Sequence, residues 1–199
     1  MKDIKNYLDK SSLLNIIESY HPTACYDHET RVKDYSLQLF DFLALYYDLT
    51  PEARNLLEAS AWLHDIGHSV SAYKHDHHAL ILISRDPVFD FLPDKLRSAL
   101  AIIAGGHRKK ISGEISRHNK KGQKTIYRLT AILRVADAID YYRRDNVSIE
   151  QIRWCNQFVV MAFKGSMLDY IFERVRKKGF LFEEVFAPFR LENINREGD

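Results

Sequence analysis

Cysteine is scarce in this chain: two residues in 199, Cys25 and Cys155, with no CxxC spacing. That scarcity argues against a disulfide framework and a thiolate zinc cage, and makes a reducing compartment, the cytoplasm, the expected setting. Long apolar runs are missing too. Nowhere do about 18 apolar residues follow one another, so no membrane span is expected. The acidic residues of the opening MKDIKNYLDKSSLLNIIESY do not fit a signal peptide. There is no charge surplus either. The 29 basic and 27 acidic residues leave a net charge of +2, too little field to announce a nucleic-acid binder, and no DNA partner is expected. Repeats and low-complexity stretches are absent. The 46% hydrophobic content is enough for one well-buried core.

Histidine, by contrast, is concentrated. The stretch AWLHDIGHSVSAYKHDHH (61–78) holds His64, His68, His75, His77 and His78, together with Asp65 and Asp76. An adjacent His64-Asp65 pair at the end of a helical apolar pattern offers imidazole nitrogen and carboxylate oxygen from one rigid element, a donor set suited to transition metals. One such pair cannot fill a coordination sphere, so the rest of the chain must supply further ligands. A polar loop of surface histidines is the competing reading of this window.

Apolar periodicity supplies the framework. Residues 4–17 carry Ile4, Tyr7, Leu8, Leu14 and Ile17 at mostly helical spacing, with a stop at His21-Pro22. Residues 27–47 form a second helix on the stripe Val32, Tyr35, Leu39, Leu43 and Tyr46, with His28 in its first turn. Thr50-Pro51 is an N-cap followed by proline at the first helical position, and Leu56, Leu57, Ser60 and Leu63 carry that helix into His64, where Gly67 permits a turn. A short apolar helix over 78–83 ends at Asp86-Pro87; another opens at Pro93-Asp94 and breaks at Gly105-Gly106, just before His107. Residues 108–124 read as a basic loop, and 125–142 as an apolar helix interrupted by Asp137. A carboxylate in buried surroundings is costly without a partner, so Asp137 also asks for a cation. Beyond it, 147–163 reads as a hairpin, 167–178 as a helix and 180–189 as a mixed apolar tail. The expected class is mainly α: a helical metal-binding domain over 1–143 and a small α+β extension over 144–199 packed on it.

His28, His64, Asp65 and Asp137 thus come from three different helices, as ligands around one centre must. Their order resembles the HD superfamily of metal-dependent phosphohydrolases, and LHDIGH (63–68) and LRVADAID (133–140) look like its two hallmark segments. A closer resemblance covers about 24–191. There LHDIGHSVSAYKHDHHALILI, AGGHRKKI, ILRVADAIDYYRR and LFEEVFAPFRL are similar to the C-terminal HD-type domain of the exopolyphosphatase/guanosine pentaphosphatase family. The actin-like domain that bears that family's known catalytic residues has no counterpart in this sequence, so its mechanism does not carry over.

The resemblance implies one or two divalent ions (Mn, Fe, Mg, Co or Zn) held by His28, His64, Asp65 and Asp137. His78 and His107 stand where binuclear relatives place extra ligands, with His77 or His75 as the alternative to His78. Asp65, His68 and Arg108 are expected to carry the chemistry, His68 either touching the phosphate or merely closing a helix. Lys74, Arg108, Lys109 and Arg134 are weaker phosphate contacts, because Lys and Arg offer charge-assisted donors to anionic oxygen. Arg134 or Arg143 is alternatively an ion-pair partner for Asp140. The expected function is a phosphohydrolase acting on a nucleotide, alarmone-like or polyphosphate-type ester or anhydride. A non-catalytic module that binds such ligands beside a separate catalytic subunit is the alternative, and a homodimer is left open.

Overall fold

Turn chemistry sets most of the helix boundaries. In a computed structural model, residues 2–20, 26–108 and 110–195 are described; Cys25, the His21-Pro22 stop and Lys109 lie outside them. The amino-terminal stripe is split in two. Asp3 accepts from Lys5 N and caps a 3-10 turn over Ile4–Asn6, and Asp9 accepts from Ser12 N at 2.7 Å to start helix α1, Lys10–Tyr20. Helix α2 is Asp27–Leu43 and helix α3 is Pro51–Leu63, the latter capped by Thr50 as the Thr-Pro pair predicts. Helix α4, His75–Arg85, starts one turn earlier than the apolar run indicates, because Lys74 enters the left-handed region (φ 57°) and turns the chain into it.

Helix α5 is Asp94–Gly105 and helix α6 is Lys120–Ile139. The latter begins five residues before its apolar pattern: Asn119 accepts from Gly122 N at 2.8 Å, and this cap offsets the poor propensity of Gly122. The hairpin is strands β1, Ser148–Cys155, and β2, Phe158–Lys164, antiparallel and turned at Asn156 (φ 54°). Helices α7, Leu168–Lys178, and α8, Phe180–Val185, then cross to strand β3, Phe189–Asn193, which pairs parallel with β2. The molecule is therefore mainly helical with a small carboxy-terminal three-stranded sheet, order β1-β2-β3.

Packing joins the two parts. Leu39, Leu57, Leu100 and Ile132 from the helices and Phe163, Ile171 and Phe182 from the carboxy-terminal part are fully buried in one apolar cluster. Tyr35 Oη donates to Val147 O at 2.6 Å, and Gln38 Nε2 to Ile149 O at 2.8 Å, fixing β1 on α2. Among the described residues no helix is long and apolar enough to cross a membrane.

Candidate metal centre

Three helix carboxyl ends converge on one point. His64 caps the end of α3 and Asp65 follows it; Asp137 lies in the last turn of α6 and Asp140 caps that helix; His107 follows α5 by two residues. Carbonyl-rich helix ends favour positive charge. His28, in the first turn of α2, and His75, at the start of α4, reach the same point.

The imidazoles are oriented before any ligand arrives. His28 Nδ1 donates to Asp140 Oδ2 at 2.6 Å, His64 Nδ1 to Ala61 O at 2.7 Å, and His107 Nδ1 to Ala104 O at 2.6 Å. Carbonyl and carboxylate oxygens only accept, so each bond fixes the proton on Nδ1 and leaves the Nε2 lone pair free in the neutral ring. The His28 and His64 lone pairs then face each other, Nε2 to Nε2 at 3.2 Å, and two acceptors cannot satisfy each other; His107 Nε2 lies 3.1 Å from His75 Nε2, while His75 Nδ1 lies 3.2 Å from both Ala72 O and Arg108 Nη1. Ligand nitrogens about 2.1 Å from a shared ion stand roughly 3.0 Å apart at a right angle and about 3.4 Å apart in a tetrahedron, which brackets both spacings.

Asp65 lies between the two pairs. Its Oδ1 is 3.3 Å from His75 Nε2, 3.5 Å from His64 Nε2 and 3.8 Å from His107 Nε2, while Oδ2 is 3.5 Å from His28 Nε2 and 3.7 Å from His68 Nε2. Asp137 Oδ1 approaches His28 and His64 at 3.8 and 3.9 Å. Two groups offer donor atoms all within 4.8 Å of one another, namely His28, His64 and Asp65, and Asp65, His68 and His75. The protein thus contains buried His/Asp clusters that could bind a metal ion, with Asp65 common to both.

Electrostatics follow from this crowding. Burial alone would raise the Asp65 pKa, but His64, His107, His28 and His68 hold the carboxyl well below the usual range. Burial pushes His64 down, yet Asp65 and Asp137 outweigh it and its pKa is raised. His107 is pushed down to about 4, by burial first and with His64 adding, against Asp137 and Asp65. His107 is therefore a neutral ring at ordinary pH, the form that binds metal.

The expected residues divide on this geometry. His28, His64, Asp65, His107 and Asp137 meet at the centre; Asp137 is not deeply buried but 16% exposed, facing a cleft. His78 does not join them. With α4 beginning at His75, it is His75 that faces Asp65 and His107, whereas the His78 ring neighbours His77 at 6.3 Å. His68 sits at the mouth, 32% exposed and stacked on His75 with ring centres 3.9 Å apart. Arg108 lines the cleft, its Nη1 3.4 Å from His75 Nε2. Lys74 does not, since its left-handed backbone directs it to a separate cavity beside Asp76 and His77. Arg134 is committed to the backbone, Nε donating to Gly106 O at 2.7 Å. Asp140 pairs with neither Arg134 nor Arg143: Arg31 Nε donates to its Oδ1 at 2.7 Å, and the carboxyl is 1% exposed. Two cleft residues, Arg174 and Lys178, escaped the sequence reading: they lie four apart on α7, and no motif marks where that helix docks. Tyr141, an aromatic expected in the core, is instead exposed and lines the cleft with them.

No match is found among curated proteins. The family model described as Ppx/GppA phosphatase, domain III, matches residues 10–165, which covers the α2 and α3 ligands, the α5 and α6 ends and the hairpin. With more than half of its residues matched and the His/Asp cluster inside the match, the chain belongs to the Ppx/GppA phosphatase family through its domain III.

Proposed function

We propose that this chain is a divalent-metal-dependent phosphohydrolase of the HD type, with His28, His64, Asp65 and Asp137 holding one ion and Asp65, His75 and His107 a second. The observation that carries it is the crowding of ring nitrogens around Asp65, with His28 and His64 Nε2 3.2 Å apart on one side and His75 and His107 Nε2 3.1 Å apart on the other. When bound, such ions would supply Lewis acidity to water and to phosphate oxygens.

The chain's own side chains do the rest. His28 and His64 are presented by fixed Nδ1 bonds and need no reorganisation. Arg108 and Arg143, the latter with Nη2 3.6 Å from Asp65 Oδ2, point charge at the place where phosphate oxygens would dock. His68, at the cleft mouth and close to Asp65, is placed to hand a proton to the leaving oxygen. The cleft is open, about 110 Å³, and its cationic lining suits the phosphate end of a ligand. The substrate is therefore read as a phosphorylated small molecule or polyphosphate end, with the remainder lying outside. Elemental analysis of purified protein should find about two divalent ions per chain, and the loaded protein should release phosphate or pyrophosphate from a panel of nucleotides and short polyphosphates. Metal-free protein, or a silent panel with every loaded metal, would defeat the reading; Asp65→Ala should abolish both metal and turnover.

A second reading is a non-catalytic phosphate-binding module, favoured by a match to one domain of a phosphatase family. It predicts anion binding that survives Asp65→Ala.

A further inference from the structure

The cleft has an imidazole and carboxylate floor and a cationic rim of Arg108, Arg143, Arg174 and Lys178. Four arginines elsewhere are neutralised at close range, Arg31 by Asp140 at 2.7 Å, Arg54 by Asp41 and Arg97 by Asp90 at 2.6 Å, and Arg153 by Glu192 at 2.9 Å. On the rim, Arg143 has a carboxylate at 3.6 Å. Among the described residues Arg108, Arg174 and Lys178 form no ion pair.

Arg174 and Lys178 belong together. They are four residues apart on α7, so they share one face of that helix. Arg174 lies over the Tyr141 ring at 3.5 Å, which holds its guanidinium at the cleft wall. Lys178 is half-buried, and its Nζ has one hydrogen bond, to Arg108 O at the long distance of 3.5 Å. Burial depresses its pKa, and Arg108, Arg134 and Arg174 add to the effect while Asp137 opposes it. A desolvated ammonium among like charges is costly unless an anion meets it. Helix α7 also lies beyond residue 165, where the family match ends.

The rim therefore divides into two pairs. Arg108 and Arg143 stand beside His75 and Asp65, and Arg174 and Lys178 line the same cleft from α7, Arg174 over the Tyr141 ring and Lys178 against Arg108 O. We propose that Arg174 and Lys178 of α7 form a second phosphate subsite, which holds the phosphoryl group adjoining the one attacked and makes the site select a diphosphate-bearing ligand over a monophosphate. This rests on the cluster being a phosphohydrolase centre.

The test is calorimetric binding of imidodiphosphate, a diphosphate that resists hydrolysis, and of inorganic phosphate, each to metal-free and to manganese-loaded full-length protein. Lys178→Met and Arg174→Met should each weaken imidodiphosphate about tenfold or more, the scale of a lost charge-assisted hydrogen bond, while phosphate weakens less than about threefold. Lys178→Arg should restore most of the difference. Equal losses for both anions, or no loss for either, overturn the subsite. If Lys178→Met does not fold, Arg174→Met carries the same comparison. The outcomes separate from the parent reading: the contrast between the two anions is read without turnover, and active protein whose variants lose no selectivity refutes the subsite alone.

Discussion

Asp140 touches no proposed ion yet holds two parts of the centre in place, accepting from His28 Nδ1 and from Arg31 while 1% exposed. Asp140→Asn removes the charge that both partners need. Loss of such a supporting carboxylate should lower metal affinity about 10- to 100-fold, and leaving Arg31 without its counter-charge should destabilise the fold by about 3 kcal/mol. Chelator competition and thermal unfolding would check the two effects; unchanged metal affinity would show that His28 needs no such anchor. His107 gives a pH dependence whose sign is fixed. Its folded pKa, about 4, lies below the ordinary 6.5, so between those values the unfolded chain binds more protons. Stability of metal-stripped protein from this ring is present above about 6.5 and lost as pH falls toward 4, and His107→Gln should flatten that slope in melts recorded across the window. His75 and His78 offer a paired comparison: His75→Ala should halve the metal content, and His78→Ala should leave it intact.

At the scale of elements, α4 is held against its neighbours by two glycines. A Cβ on Gly67 would lie 2.0 Å from His75 O and 2.6 Å from Ala79 N, and one on Gly105 would lie 2.6 Å from Leu80 Cβ. These are backbone and packed side-chain atoms that cannot swing aside. Gly67→Ala must therefore push the start of α4, and His75 with it, off Asp65, at a cost of about 1–3 kcal/mol. The expected outcome is a lowered melting temperature together with loss of one ion while His28 and His64 keep theirs; retention of both ions would show that α4 shifts without consequence for the site. In α6, Asp137 and Asp140 are three residues apart and share a face, so one turn addresses both nitrogens of His28.

At the scale of the whole molecule, the carboxy-terminal part shares the helical core. Phe163, Ile171, Phe172, Val175, Leu181 and Phe182 are buried with residues of the helices. A chain ended at residue 165 would lack five of these six side chains and expose the core residues that they cover. At roughly 1.5–3 kcal/mol each, that loss is comparable to the whole stability of a domain. Such a truncation should show no cooperative melt; a sharp transition would mean that the helical part folds alone.

The sequence by itself determined most of the helical segments and where many of them end, because caps and prolines act over a few residues: Thr50-Pro51, Asp86-Pro87 and Pro93 punctuate the chain as expected, whereas α8 lies in what reads as a mixed apolar tail and the first turn of α6 in what reads as a basic loop. The places of His28, His64-Asp65, Asp137 and His107 near helix ends were legible for the same reason. Tertiary structure decided what depends on the placement of one element against another. It brought His75 rather than His78 beside Asp65 through the left-handed turn at Lys74, gave Asp140 to Arg31, paired β3 with β2, and brought Arg174 and Lys178 to the cleft that Asp65 lines. Local signals fix a helix and its phase, but a site is a set of distances between helices, and those come from packing.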